Sequence, residues 1–179
     1  MTSDEYCVRG CGDFGTTNTE FDWSPDSKKI TFAYSPTTGY DYLHLDSSLA
    51  TIDIMTGTTT SMEKHAFYEA MPRYSPDGQW IAFVSGNSAQ RYAIDRQIAV
   101  CSAEGKHHRL LSPTFNEGAF IAGPNLLGWT KDGNSILFFE PKETKFHLML
   151  LPLDGSPAKA IETGEFFFKE PTLSYDKSM

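Results

Sequence analysis

A twelve-residue phrase that recurs three times is the strongest constraint on what this chain can fold into. Phe21-Asp-Trp-Ser-Pro-Asp-Ser-Lys-Lys-Ile-Thr-Phe32 returns as Pro72-Arg-Tyr-Ser-Pro-Asp-Gly-Gln-Trp-Ile-Ala-Phe83 and as Leu127-Gly-Trp-Thr-Lys-Asp-Gly-Asn-Ser-Ile-Leu-Phe138. A truncated fourth copy starts at Pro171-Thr-Leu-Ser-Tyr-Asp176. With Ser24, Ser75, Thr130 and Ser174 taken as equivalent, the spacings are 75−24=51, 130−75=55 and 174−130=44. Repeats of about 40–50 residues suit the four-stranded blades of a β-propeller.

Each part of the phrase has a physical role. An aromatic residue (Trp23, Tyr74, Trp129) ends one strand. Ser-Pro-Asp-Gly then makes a tight turn, in which Pro presets φ, Asp bonds the local backbone and Gly tolerates positive φ. Ile-x-Phe opens the next strand, and its period-two alternation puts bulk on one face. A second marker lies downstream, where apolar strands run into glycine turns at Gly57, Gly105 and Gly155, 48 and 50 residues apart (105−57, 155−105). Two markers in phase favour repeated blades over an ordinary β-sandwich, whose turns would share no common period.

The expected fold is therefore all-β: a partial β-propeller of about three four-stranded antiparallel blades plus the first strand of a fourth. The blades are placed at 19–63, 71–111, 125–162 and, in part, 171–176, after a leader or loop at 1–18 and before a tail at 177–179. In each, strands a and b are closed by the Ser-Pro-Asp-Gly turn, and strands c and d by the glycine turn.

The phrase aromatic-Ser-Pro-Asp-Gly-x-x-Ile-Ala-Phe, with Asp-x-x-Thr-Gly downstream, resembles the TolB-type propeller repeat. That repeat also builds the N-terminal domain of prolyl-oligopeptidase-like and dipeptidyl-peptidase-like serine peptidases. Tyr74 to Phe83 matches it almost letter for letter, whereas the third copy has Thr130-Lys131 for Ser-Pro and the first has Ser27 for glycine. In the peptidases, the resemblance implies a propeller that sits over a hydrolase domain and restricts entry to short peptides. In TolB-like proteins, it implies a platform for protein–protein interaction without enzymatic activity. The peptidase parent is the favoured reading, with the interaction propeller as the alternative.

Catalytic chemistry is not legible in the chain. A serine hydrolase of that family needs Gly-x-Ser-x-Gly, a strained turn that exposes the nucleophile, and the string does not occur. Phosphate-loop and His-Glu-x-x-His strings are also missing from the sequence. Cys7 and Cys11 could supply half of a zinc site, but no second pair stands at matching spacing, so free thiols or one local disulfide is the expectation. No catalytic residue, metal or cofactor is assigned. His44, His65, His107, His108 and His147 are scattered, and none is chosen as a catalyst.

Charge narrows the partners. A net charge of −8 with dispersed lysines and arginines opposes binding to nucleic acid, which needs clustered cations. The short basic run Lys106-His107-His108-Arg109 reads as a solvated hairpin end. Hydrophobic residues at 40% and charged residues at 21% are globular values, and the N-terminal residues do not read as a signal peptide or a membrane span. Three cysteines make no disulfide framework. The expected location is the cytoplasm, or the periplasm if a signal peptide has been removed.

Function is expected at the end of the blades opposite the tight turns, where the b–c and d–a connections gather. Those connections carry Tyr40, Tyr42, His44, Phe67, Tyr68, Phe120 and Phe167, the last within Phe166-Phe167-Phe168. Rigid aromatic rings of this kind would anchor a peptide, a protein or the parent's hydrolase domain. Three blades cannot close a ring, so open flanks built by Ile30, Phe32, Ile136 and Phe138 are expected to drive self-association, two copies giving six blades, or poor solubility.

Overall fold

The computed structural model describes residues 7–8, 21–35, 47–86, 96–111, 125–142 and 145–161. They form three antiparallel sheets with no helix among them. The first contains β1 (Cys7–Val8), β2 (Phe21–Trp23), β3 (Lys29–Ser35), β4 (Ser48–Asp53) and β5 (Thr59–Ser61). The second contains β6 (Tyr68–Tyr74), β7 (Trp80–Gly86), β8 (Arg96–Ser102) and β9 (Arg109–Leu110), and the third β10 (Asn125–Trp129), β11 (Ser135–Lys142), β12 (Lys145–Pro152) and β13 (Lys159–Ala160). In the second and third sheets, every strand pairs with its neighbour in sequence, which is the up-and-down order of a propeller blade. Thus three blades stand in series, a partial and unclosed propeller.

The first sheet departs from the expectation at its edge. β1 pairs with β3 at Cys7↔Ser35 and Val8↔Tyr34, continuing the edge where β2 stops at Phe21↔Phe32. Residues 1–18 are therefore not all leader or loop. A two-residue strand carries no periodicity that could announce it.

The repeated turn is one hydrogen-bond network built three times. Ser75 Oγ donates to Asp77 Oδ1 (2.5 Å), Gln79 N donates to the same oxygen (3.0 Å), and Trp80 N donates back to Ser75 Oγ (2.9 Å). Ser24, Asp26, Lys28 and Lys29 repeat it in the first blade, and Thr130, Asp132, Asn134 and Ser135 in the third. A threonine hydroxyl does the work of serine, and Lys131 forgoes only the φ preset by proline. The Ser75 hydroxyl, and then the Gln79 N–H, hold the Asp77 carboxyl below its usual range. The turns also stack from blade to blade. A Cβ on Gly78 would lie 3.4 Å from Pro25, and one on Gly133 3.8 Å from Pro76.

Gly78 and Gly133 both have φ +71°, and Ser27 occupies the same turn position at φ +57°. A side chain there costs about 1–2 kcal/mol, part of which returns as unfolded-state entropy when glycine replaces it. Ser27→Gly is accordingly expected to raise stability by about 0.5–1 kcal/mol, read from the denaturant midpoint at unchanged m.

Blade faces follow from register. Phe21, Trp23, Ile30, Phe32 and Ile52 share one face of the first sheet, while Asp22, Thr31, Ala33, Leu49 and Thr51 share the other. The second of these faces meets the middle blade: Asp22 Oδ2 accepts from Tyr74 N (2.8 Å), and Thr31 Oγ1 donates to Tyr74 Oη (2.8 Å). The next seam is similar, with Trp129 Nε1 donating to Arg73 O (2.9 Å) and Arg73 Nε to Leu127 O (3.2 Å). A single apolar core runs through both seams, from Ala33 and Leu49 through Ile81, Phe83 and Val100 to Trp129, Phe138 and Leu151.

One expectation fails on parity. Ile136 and Phe138 do not face outward: they lie on the Trp129 face of the third blade, packed toward the middle blade, and both are fully buried. The outward face of that blade is instead Leu137, Phe139, Leu148 and Leu150, of which the last three are half-buried. On the first blade, Ile30 and Phe32 do share the outward face, but Phe32 is buried, and the exposed rings are Phe21 and Trp23, each 48% exposed.

Candidate functional site

The end of the blades opposite the tight turns is represented among the described residues by the β5–β6 connection and the adjoining strand ends. Phe67 is exposed, and the Lys64 ammonium lies 5.6 Å from its ring centroid. Tyr68, expected beside it as a surface anchor, is buried, with the Arg96 guanidinium 4.6 Å from its ring centroid. The pair fixes the entry to β6 and β8 by cation–π attraction. In the third blade, Phe146 is exposed and meets Phe139 edge-on at 5.8 Å. Tyr40, Tyr42, His44, Phe120 and Phe167 lie outside the described residues.

The same end holds a residue that the motif search passed over. Glu69 is 1% exposed and accepts backbone hydrogen bonds from His65 (2.9 Å) and Ala66 (3.2 Å). Ser47 clamps its backbone, donating through Oγ to Glu69 O (2.8 Å) and accepting from Glu69 N (3.2 Å). The carboxylate thus ties the interblade connection to the first strand of the middle blade. An acidic residue between Tyr68 and Ala70, at the start of a strand whose next three residues are Ala70, Met71 and Pro72, was the available signal. Burial pushes the Glu69 carboxyl above the ordinary range, against the two N–H groups that favour its charged form.

The sign of the pH effect follows. A carboxyl whose folded pKa is raised binds more protons folded than unfolded, so its contribution falls as pH rises from the ordinary glutamate range through the raised value. Glu69→Gln keeps an acceptor and removes this slope. Glu69→Ala orphans two backbone donors and should cost about 1–3 kcal/mol. Denaturant titrations from acid to neutral pH should show wild type losing ground to Glu69→Gln as pH rises.

Nearer the blade rim, His65 and His108 stack at 4.5 Å with 22° between their rings, and Phe83 packs against His108 at 5.6 Å. Burial, and then the neighbouring His65, lower the His108 pKa, so the neutral ring is favoured. Two imidazoles fall short of a metal centre, and no group of three His, Cys, Asp or Glu is placed to hold a metal among the described residues. Cys101 is buried, its thiol pushed up to about 12 by burial and then by Glu69 and Glu104. It is a packing residue, since only the thiolate is nucleophilic. A cleft of about 450 Å³ opens at the tight-turn end, between the first two blades, lined in part by Lys29, Thr51, Asp53, Met62, Ala103 and Glu104.

Comparison with known proteins fits this geometry. No protein-family model matches the chain. It is 26% identical over 160 residues to dipeptidyl-peptidase 5 of Porphyromonas gingivalis, a stretch that covers 88% of this chain and 22% of that protein. Among solved structures, TolB from Acinetobacter baumannii superposes with a TM-score of 0.65 at 19% identity, covering 88% of this chain and 35% of TolB. A puromycin-hydrolyzing peptidase from Mycobacterium tuberculosis superposes at 0.57 with 16% identity, covering 82% and 22%. The chain therefore spans about a fifth of the peptidases and about a third of TolB. The three sheets have the fold of consecutive blades of a TolB-like β-propeller, and their sequence is similar to a stretch of a dipeptidyl-peptidase.

Proposed function

We propose that this chain is the non-catalytic propeller portion of a prolyl-oligopeptidase-like serine peptidase, positioning or restricting peptide substrates for a hydrolase domain elsewhere in the parent. The observation that carries the reading is the similarity to a dipeptidyl-peptidase along 88% of the chain. Two features agree with it. The sequence contains no Gly-x-Ser-x-Gly nucleophile turn, and the one cysteine described in full is buried and inert. Phe67 at the loop-bearing end is a candidate contact for peptide or for the second domain.

The test has two parts. The parent gene should encode a hydrolase domain with the nucleophile turn downstream of residue 179. In that parent, deleting residues 36–46, which lie outside the described residues, should change the range of peptide lengths cleaved while the propeller melts as before. Further repeats followed by a stop would instead favour a TolB-like interaction propeller, whose assay is capture of a protein partner. Loss of folding on deletion would remove the role given to that segment.

A further inference from the structure

The outer strand of each blade is closed by the same backbone bond. Met62 N donates to Leu49 O (2.9 Å), Leu111 N to Ile98 O (2.9 Å) and Ile161 N to Leu148 O (2.8 Å). Three residues before these amides stand Thr59, His108 and Ala158, so of the three blades only the middle one carries an imidazole at this position. Its outer strand β9 needs a further hold. The strand is two residues long, both exposed, and the preceding His107 has φ +56°, in the left-handed region that a side chain disfavours. His108 supplies the hold. Its ring stacks on His65 of the β5–β6 connection at 4.5 Å and packs on Phe83 at 5.6 Å, and its Nε2 is buried with no hydrogen-bond partner among the described residues.

Protonation opposes this arrangement. A proton on His108 charges a ring whose buried Nε2 meets no acceptor, and a second on His65 sets two cations face to face. The other ionisable groups nearby are already engaged or solvated. On the His65 side, Glu69 Oε1 accepts from the His65 and Ala66 N–H groups, Lys64 lies over Phe67, and Glu63 is exposed. On the His108 side, Ser102 engages Glu104, Arg109 donates to Leu153 O (3.4 Å), and Lys106 and His107 are exposed. The Cys101 thiol, pushed up to about 12, carries no charge where imidazoles titrate. We propose that the His65–His108 stack is a proton-operated latch: neutral, it pins β9 and its turn to the connection between the first two blades, and protonated, it lets them go. Burial, and then His65, make His108 take up a proton less readily in the closed stack. The open strand therefore binds more protons, and closure weakens as pH falls from the ordinary imidazole range, about 6.5, through the lowered value. Glu69 acts in the opposite sense, since its contribution is lost as pH rises. The latch needs no ligand and does not rest on the peptidase reading.

Hydrogen–deuterium exchange of the full chain at about pH 7.5 and about pH 5.5, either side of the imidazole range, tests it once intrinsic rates are divided out. Protection of Leu111 and of the stretch 106–111 should fall about tenfold at the lower pH, the change that one unit of difference in pKa produces, while Ile161, the matching amide of the third blade, should change less than about twofold. His65→Phe and His108→Phe keep a stacked ring without the charge and should each remove the fall. His65→Gln, at an exposed position, takes the place of either variant that fails to fold. His65→Ala, which loses the stack, should lower protection at both pH values. The fall should persist in Glu69→Gln, which separates the latch from the buried carboxyl. Unchanged protection in the wild type, or an equal fall at Ile161, would overturn the proposal. So would a fall that survives in the uncharged-ring variants, or one that vanishes in Glu69→Gln.

Discussion

Replacing Trp129 by alanine is expected to destabilise the fold by about 3–5 kcal/mol, the range for removing a buried indole that leaves a cavity. Trp129 is 1% exposed, belongs to the continuous core, and spends its N–H on Arg73 O across the seam. The loss therefore has two parts, missing packing and an orphaned carbonyl. Trp129→Phe separates them, because it keeps most of the volume and removes only the hydrogen bond, at an expected cost of about 1–2 kcal/mol. Trp23→Ala, at the same motif position but half exposed, should cost about 1 kcal/mol. Chemical denaturation of the three variants checks the order. Equal losses at Trp23 and Trp129 would mean that seam burial is not what distinguishes the blades.

The second large effect is expected at Gly105. Its φ is +75°, and an added Cβ would lie 2.9 Å from both Cβ and Cγ of Met62 and 3.2 Å from its Cα. Rotation of the methionine side chain can relieve the Cγ contact but not the others, so the connection between the first two blades must move. Gly105→Ala should cost about 2–4 kcal/mol, combining backbone strain with overpacking. Gly57, the matching turn residue of the first blade, has φ +70° and no atom within 4 Å of such a Cβ. Gly57→Ala should therefore cost only the backbone term, about 1 kcal/mol. A double-mutant cycle with Met62→Gly isolates the clash: in that background, Gly105→Ala should fall toward the Gly57→Ala value.

The fold was legible because it is periodic, and what escaped was what does not repeat. The turn markers located every a–b and c–d hairpin, since a Ser/Thr-x-Asp-Gly/Ser network closes in five residues and leaves its signature in local sequence. Facing was harder to read. Ile136 and Phe138 were correctly placed on one face by alternation, but alternation cannot say which neighbour that face meets. The seam hydrogen bonds of Tyr74 and Trp129 decide it. The candidate site was less legible still. Phe67 is where an exposed anchor was expected, whereas its neighbour Tyr68 turns inward under Arg96. Phe67 lies in the bend before β6 and Tyr68 is the first residue of the strand, so neighbours in sequence fall on different local structures and alternation could not place them. Glu69 follows no motif. Its role depends on the approach of the residue 65–66 backbone and Ser47, which only the folded chain brings about.

The series of seams has a consequence for how the molecule comes apart. The middle sheet is covered on both sides, and its first strand β6 touches β2, β3 and β4 of one neighbour and β10 of the other. Among the described residues, each outer sheet is packed against a neighbour on one side only. In such a linear array, opening begins at the ends and the centre goes last. Amides of Ile81 to Val84 and Ile98 to Val100 should therefore exchange with solvent most slowly, at rates that report global unfolding. Those of β5 and β13 should exchange through cheap local fraying.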